Sequence, residues 1–301
     1  MSKVSAIIVN YNAGRLLNDT VNFLLNSSYI TRIIVVDNDS SDNSMKDIES
    51  IAGSQPRMIC VRNNKNLGFA KACNIGVAAD GESDYLIFVN PDCIVEKDAL
   101  GKLLSCLKSS PAVGMAGPLL LNPDGTEQAG GRRSIPTPWR SFVRAFGLSQ
   151  LSKFSPHIFS DFILHKQTLP EMPMEIEAIS GSCMMIKREA LRDVGYLDTG
   201  YFLHCEDLDW CMRFRQKGWK IMFVPDARVI HYKGVCSRKR PFFVEWHKHK
   251  GMIRFYSKFF RDEYPEILLL IIQTGVWFRF AVVAFYYGVK RLKEFLEHGV
   301  A

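Results

Sequence analysis

The chain has no C-x-x-C pair, although it contains eight cysteines. Scattered singly, they argue against a zinc site or a disulfide scaffold and read as small buried apolar residues of a reducing compartment. No G-x-G-x-x-G follows the first apolar run, and no G-x-x-x-x-G-K-[ST] occurs anywhere. Dinucleotide and P-loop readings therefore lose their main support. No secretory leader is visible: the run Ala6 to Val9 is too short for an h-region, so a cytoplasmic location is expected. No recognised nucleic-acid module accompanies the basic residues, so no nucleic-acid partner is expected.

What is present suits a globular protein with a large core: 301 residues, 47% hydrophobic, with a mean hydropathy of −0.02. The net charge of +7 is localised. Nine Lys/Arg against the single acid Glu245 lie between Lys233 and Arg261, so the rest of the chain is close to neutral. The basicity is a site rather than a general property.

Apolar runs alternate with helical patterns through the first half. Val4 to Val9, Ile33 to Val36, Met58 to Val61 and Tyr85 to Val89 read as buried strands. Helices are expected over 16–25, 69–79 and 98–107, with a further strand near 113–116. Continuous apolar strands separated by helices predict an α/β fold with a mostly parallel sheet covered on both faces. Residues 118–173 are irregular and read as loops, short strands and a lid. Met184 to Ile186, Ile221 to Val224 and Ala227 to His231 read as later short strands.

In such sheets ligands bind outside the carboxyl ends of the strands. Polar residues collect there: Asn10-Tyr11-Asn12, Asp37-Asn38-Asp39-Ser40-Ser41-Asp42, Asn63-Asn64-Lys65-Asn66-Leu67-Gly68 and Asn90-Pro91-Asp92. Each alone could be a turn; four on one edge point to a site. Asp37 and Asn38 can hydrogen-bond a nucleobase or ribose. Asp92 is a hard oxygen ligand suited to Mg²⁺ or Mn²⁺, and His231 could add a nitrogen or serve structurally.

Glu206-Asp207-Leu208-Asp209-Trp210-Cys211 puts three carboxylates within four residues at the start of a helix that Gly218 would stop. Such a cluster either caps the helix or serves a reaction, because like charges repel and burial penalises them.

Together these motifs, in their order, resemble family 2 glycosyltransferases with a GT-A fold, and above all a bacterial rhamnosyltransferase-like branch. Ile8 to Asn12, Val35 to Asn38 with Ser40 and Asp42, Asn66 to Gly76, Phe88 to Asp92, Gly181 to Ile186, Gly195 to Asp198 and Glu206 to Cys211 carry the likeness, over about residues 3–240. The resemblance implies inverting transfer of a sugar, L-rhamnose from dTDP-rhamnose being one option, from a dTDP- or UDP-linked donor to a lipid-linked or polysaccharide acceptor in cell-surface glycan synthesis. It implies donor contacts at Val9, Asn10, Tyr11, Asp37, Asn38, Asn66, Gly68, Lys71 and Asn90, and a metal, Mg²⁺ or Mn²⁺, on Asp92 and His231. Asp207 would be the general base, with Glu206, Asp209 and Trp210 orienting acceptor or donor groups. The chain departs from the family twice: Asn90-Pro91-Asp92 stands where Asp-x-Asp is frequent, and Cys236, followed by Ser237, where a serine contacting the diphosphate is frequent. The rival readings are a nucleotidyltransferase, for which Asn10-Tyr11-Asn12 lacks a basic, glycine-rich loop, and a non-catalytic nucleotide-sugar-binding protein.

A catalytic domain over 1–237 is expected, its nucleotide half about 1–117 and its acceptor half about 118–237, followed by a helical region over 238–301. Phe242, Trp246, Ile253, Tyr256 and Phe260 recur at helical spacing among Lys248, Lys250, Arg254, Lys258 and Arg261. Ile267 to Val289 approaches the ~20 residues needed to span a bilayer. Its central Arg279 costs roughly 2.5–3.5 kcal/mol there on insertion scales. A helix lying on the inner membrane surface is expected before a span, the other option being a helix packed on the catalytic domain or in a homodimer.

Overall fold

Four apolar runs build the sheet from its first half outward. The computed structural model describes residues 2–145, 147–234 and 240–298, so Cys236 and Ser237 lie outside the described residues. The elements of this first half are β1 (Val4–Asn10), α1 (Leu16–Leu25), β2 (Arg32–Asp37), α2 (Ser44–Ser54), β3 (Met58–Arg62), α3 (Phe69–Asp80) and β4 (Tyr85–Val89). Every residue of β1 is buried, as expected of a strand covered on both faces. β1 pairs in parallel with β2 from Ser5↔Arg32 to Asn10↔Asp37, and β2 with β3 up to Asp37↔Arg62. β1 also pairs in parallel with β4, from Val4↔Tyr85 to Ile7↔Phe88. The carboxyl ends of all four strands therefore lie on one edge, and their polar loops with them. α3 packs so closely on β1 that a Cβ at Gly76 would stand 2.6 Å from Ile7 Cγ2.

The second half adds β5 (Cys93–Val95), α4 (Ala99–Lys108), β6 (Val113–Leu121), β7 (Arg132–Arg133), α5 (Pro138–Ala145) and α6 (Pro156–Phe159). There follow β8 (Met174–Glu175), β9 (Ala178–Ile179), β10 (Cys183–Lys187), α7 (Arg188–Val194), α8 (Glu206–Gln216) and β11 (Lys220–His231). The strand order is β3-β2-β1-β4-β10-β6-β11-β5, with β8 beside β11. β10 runs antiparallel to both β4 and β6, so the sheet is parallel in its first half and mixed in its second. The two closing strands expected near 221–231 are one strand. Its pairing with β6 shifts between Val224 and Arg228, where Pro225 cannot donate to the ladder.

Contacts divide the chain into two compact units. The first comprises the described residues of 1–135, 162–202 and 206–236, and holds the whole sheet. The second comprises the described residues of 136–161 and of 237–301, with 203–205. It contains α5, a 3₁₀ turn at Leu148–Lys153, α6, α9 (Pro241–Phe259) and α10 (Glu266–His298). Part of the stretch read from sequence as irregular is thus helical and belongs with the C-terminal helices. Inside this unit Trp246 of α9 packs against Trp277 and Phe280 of α10 at 5.1 and 5.6 Å, and the Ser141 and Tyr256 hydroxyls hydrogen-bond at 2.6 Å.

Candidate active site

The loop after β1 is held by the loop after β2. Asn10 Nδ2 donates to Asp37 Oδ1 (2.9 Å), Ser40 Oγ (3.0 Å) and Ser44 Oγ (2.8 Å). Asn12 and Asp39 adopt left-handed backbone, a conformation that Asn and Asp tolerate best among residues with a Cβ. Asn12 Oδ1 accepts from the Ser41 and Asp42 amides at 2.8 and 3.1 Å, closing the knot. Asn38 does the same for the third loop. Its Nδ2 donates to Asn66 Oδ1 (2.9 Å) and Gly68 O (3.3 Å), and its Oδ1 accepts from Asn63 Nδ2 (3.1 Å) and Leu67 N (3.0 Å).

These bonds correct two of the expected donor contacts. Asn10 is fully enclosed and Asn38 spends its amide on protein partners, so both are struts that shape the site. Asp37 is buried beside them, with Val9, Tyr11 and Asn66 on the same edge. Gly68 starts α3 at φ +85°, with a Cβ position only 2.6 Å from Phe202 O, and so fixes the loop to the backbone that precedes α8. Lys71 is exposed on the first turn of α3.

Asp92 sits between β4 and β5, and His231 ends β11; the pairing His231↔Cys93 brings them together. Asp92 Oδ1 is enclosed, makes no hydrogen bond and lies 3.3 Å from His231 Nε2. Gln128 Nε2 donates to Asn122 Oδ1 (3.1 Å) and His231 O (3.2 Å), so its Oε1 is left to face His231 Nδ1 at 2.7 Å. Nδ1 therefore carries a proton, and in the neutral ring Nε2 turns a lone pair toward Asp92. A carboxylate oxygen and a bare imidazole nitrogen facing each other make a donor set for a divalent cation, and the Gln128 bond is the kind of outer support that ligating histidines have. Cys93 Sγ is near enough to join them, but it reaches the Ser182 carbonyl at 3.5 Å and suits soft metals better than Mg²⁺ or Mn²⁺. Asn90 is half-buried, with Nδ2 3.5 Å from His231 Nε2.

The acidic run opens α8 as expected, and the helix sorts its carboxylates by direction. Asp207 Oδ2 accepts from Arg133 Nη2 (2.5 Å) and Gly181 N (3.0 Å), while Oδ1 accepts from Leu208 N (2.8 Å). Burial pushes its pKa up, but the Arg133 guanidinium and these amides outweigh burial and hold it below the ordinary aspartate value. Glu206 has weaker help, from its own backbone amide and the more distant Arg133 charge. Its Oε2 is enclosed without a partner, and burial, aided by the neighbouring Asp207 charge, pushes its pKa up to about 8. The adjacent carboxyls are thus pushed in opposite directions, Asp207 toward its ionised form and Glu206 toward its protonated one.

Asp209 and Trp210 do not face this site, which corrects their expected orienting roles. Asp209 is fully enclosed and paired with Arg213 Nε at 2.7 Å, and Arg213 reaches on to the Val194 and Tyr196 carbonyls. Trp210 donates from Nε1 to Gly195 O (2.9 Å) and meets Phe88 and Phe214 edge-on at 5.4 and 5.5 Å. Both anchor α8 in the core. Arg133 and Gln128 escaped the sequence reading because they lie in the irregular stretch. The two-residue strand leaves no periodic signal, although it sends Arg132 inward to Glu127 at 2.7 Å and Arg133 to the other face.

A half-parallel sheet with strutted loops at its carboxyl edge, an Asp–His donor pair and an acidic helix start is the GT-A architecture of nucleotide-sugar-dependent glycosyltransferases. The sequence model "Glycosyl transferase family 2" matches residues 5–195, and "Glycosyl transferase family group 2" matches residues 148–290. The chain belongs to glycosyl transferase family 2. It is 27% identical over 249 residues to the N-acetylglucosaminyl-diphospho-decaprenol L-rhamnosyltransferase of Mycobacterium tuberculosis, covering 78% of each chain. It is 25% identical to the rhamnosyltransferase WbbL of Escherichia coli K12, covering 75% of this chain and 92% of WbbL. In fold it is similar to the mannosyltransferase PcManGT of Pyrobaculum calidifontis, solved with GDP-Man and Mn²⁺. That likeness has a TM-score of 0.58 at 16% identity and covers 91% of this chain and 69% of PcManGT.

Proposed function

We propose that this protein is an inverting rhamnosyltransferase of cell-surface glycan synthesis, moving L-rhamnose from dTDP-rhamnose to a lipid-diphosphate-linked sugar. The rhamnosyltransferase relatives support the donor, and the decaprenol relative supports the acceptor class. The observation that carries the chemistry is the grip on Asp207, whose Oδ2 takes the Arg133 guanidinium and the Gly181 amide and whose Oδ1 takes only the Leu208 amide. Asp207, ionised and buried, takes the proton of the acceptor hydroxyl as its oxygen attacks the anomeric carbon; the bond from that carbon to the diphosphate breaks, and the diphosphate leaves with the electron pair. Attack from the face opposite the leaving group inverts the anomeric centre. Glu206, protonated, donates a hydrogen bond to a substrate oxygen. Asp37, Val9, Tyr11, Asn66, Gly68, Lys71 and Asn90 shape the donor site. Asp92 and His231 would hold Mg²⁺ or Mn²⁺, which would supply positive charge for the diphosphate.

The protein works at the cytoplasmic membrane surface. One stretch of α10, Glu266–Arg291, is long and apolar enough to cross a membrane, and just 11% of its 18-residue apolar window is buried. Arg279 lies exposed within that stretch, which favours a helix in the interface plane. The test is transfer from dTDP-L-rhamnose to a synthetic polyprenyl-diphospho-N-acetylglucosamine, alongside a panel of nucleotide sugars scored by thermal shift with and without Mn²⁺. Rhamnose transfer that Asp207→Asn abolishes, with donor binding retained, supports the reading. Full turnover by Asp207→Asn sinks the base assignment.

A further inference from the structure

Arg133 belongs to none of the motifs that carry the family likeness, yet it makes the shortest contact to Asp207. Its backbone is fixed by the two-residue pairing of β7 with β9, Arg133↔Ala178. Its Nη2 donates both to Asp207 Oδ2 (2.5 Å) and to the β9 carbonyl of Ile179 (2.8 Å). On the same oxygen the Gly181 N–H closes the grip, and the fit leaves no slack: a Cβ at Gly181 would stand 3.2 Å from Asp207 Cβ. Oδ2 is therefore fully engaged, and Oδ1, which takes the Leu208 N–H, is the oxygen left for a substrate proton.

We propose that Arg133 is a positioning residue of the transfer reaction, clamping Oδ2 so that Asp207 stays ionised with Oδ1 presented as the base. The proposal rests on the reading of Asp207 as the base. The other titratable groups around the pair do not substitute for Arg133. Glu206 is a like charge when ionised. Cys211 on α8 and Cys73 on α3 are held neutral by burial, Cys211 with its pKa pushed up to about 12. Arg215 lies two turns along α8 from Asp207. Without the guanidinium, only the Gly181 and Leu208 amides oppose the burial that acts to protonate Asp207.

A ¹³C-carboxyl NMR titration of wild type, Arg133→Gln and Arg133→Lys needs no substrate and reads the Asp207 ionisation directly. Wild type should titrate below the ordinary aspartate value and Arg133→Gln above it by about one pH unit or more, with Arg133→Lys close to wild type. In the transfer assay the acidic limb of kcat/KM for Arg133→Gln should move up in parallel, with activity recovering toward alkaline pH and dTDP affinity unchanged. A carboxyl that titrates alike in wild type and Arg133→Gln overturns the proposal, as does a uniform loss of rate without a shifted limb. Should Arg133→Gln fail to fold, Arg133→Lys decides: a point charge without the fork that loses the low titration while folding normally also overturns it. Turnover by Asp207→Asn would remove the base reading itself, so the two failures are told apart.

Discussion

His231 Nε2 lies 3.3 Å from Asp92 Oδ1, and in the neutral ring, with its proton on Nδ1, neither atom has a hydrogen to offer the other. The arrangement is unfavourable until a cation or a proton enters, and Gln128 is what enforces it. Replacing Gln128 with Leu should free the ring to turn and lower Mn²⁺ affinity by about 10–100-fold, as loss of outer support does at other metal sites. Asp92→Asn should lower it further. Calorimetric titration with Mn²⁺ checks both; unchanged affinity in either variant removes the pair from the metal site.

Glu206 should give the protein a pH-dependent stability that runs opposite to the usual carboxylate case. Its folded pKa of about 8 stands above the ordinary value of 4.5. The folded state therefore keeps a proton that the unfolded chain releases, and stability falls as pH rises from about 4.5 to about 8. Glu206→Gln has no such proton and should be flat through that window. Its stability relative to wild type should grow on the order of a few kcal/mol by pH 8, read by urea denaturation of both proteins at pH 5 and pH 8.5. Asp207, whose pKa is lowered, acts in the other sense: its contribution is present above about pH 4 and lost below it. Parallel curves for wild type and Glu206→Gln would show that Glu206 is ionised throughout.

The loop struts predict a loss of donor binding from residues that do not touch the donor. Asn38→Ala removes four hydrogen bonds, among them the acceptor for the Leu67 amide, and frees the Asn66–Gly68 turn. Each bond is worth about 0.5–1.5 kcal/mol net, so the variant should bind dTDP more than tenfold more weakly. Gly68→Ala should act on the same loop by strain, since its Cβ would collide with Phe202 O. Calorimetric dTDP affinity near wild type in both variants would mean that the loop holds its shape without them.

Strands buried on both faces read as continuous apolar runs, which is why β1, β2 and β4 and their polar edge were legible before any coordinates, and the half-buried edge strand β3 was legible from its apolar Met58 to Val61. The single strand Lys220–His231 was not, because Pro225 interrupts its pattern locally while pairing with β6 continues on either side. The acidic motif was legible as a group but not residue by residue. Asp207, Asp209 and Trp210 are neighbours in sequence, yet a helix turns each to a different direction, and only the packing around α8 shows that Asp209 and Trp210 point into the core. Arg133 was invisible because its meaning comes from a partner 74 residues away, through a two-residue strand too short to leave a pattern.

The exposed face of α10 predicts reversible binding to anionic membranes. Phe278 and Phe285 are 71% and 75% exposed, with Ile267, Leu270, Val282 and Tyr286 also open to solvent, a patch of a kind that soluble monomers rarely carry. Lys250, Arg254 and Lys258 on α9, and Lys290, Arg291 and Lys293 on α10, are exposed in the same unit and complement anionic headgroups. The protein should float with vesicles containing phosphatidylglycerol, and less with neutral ones. Burying each phenylalanine in the bilayer interface contributes about 1.5–3 kcal/mol, so Phe278→Ser with Phe285→Ser should reduce partitioning by at least about 100-fold. Raising the salt should weaken the remainder, since the basic contribution is screened. Because Arg279 interrupts the apolar stretch, alkaline carbonate should extract the wild-type protein from native membranes, as it does surface-bound proteins. Resistance to extraction would mean that α10 spans the bilayer, and a stable dimer that ignores vesicles would mean that a second copy covers this face instead.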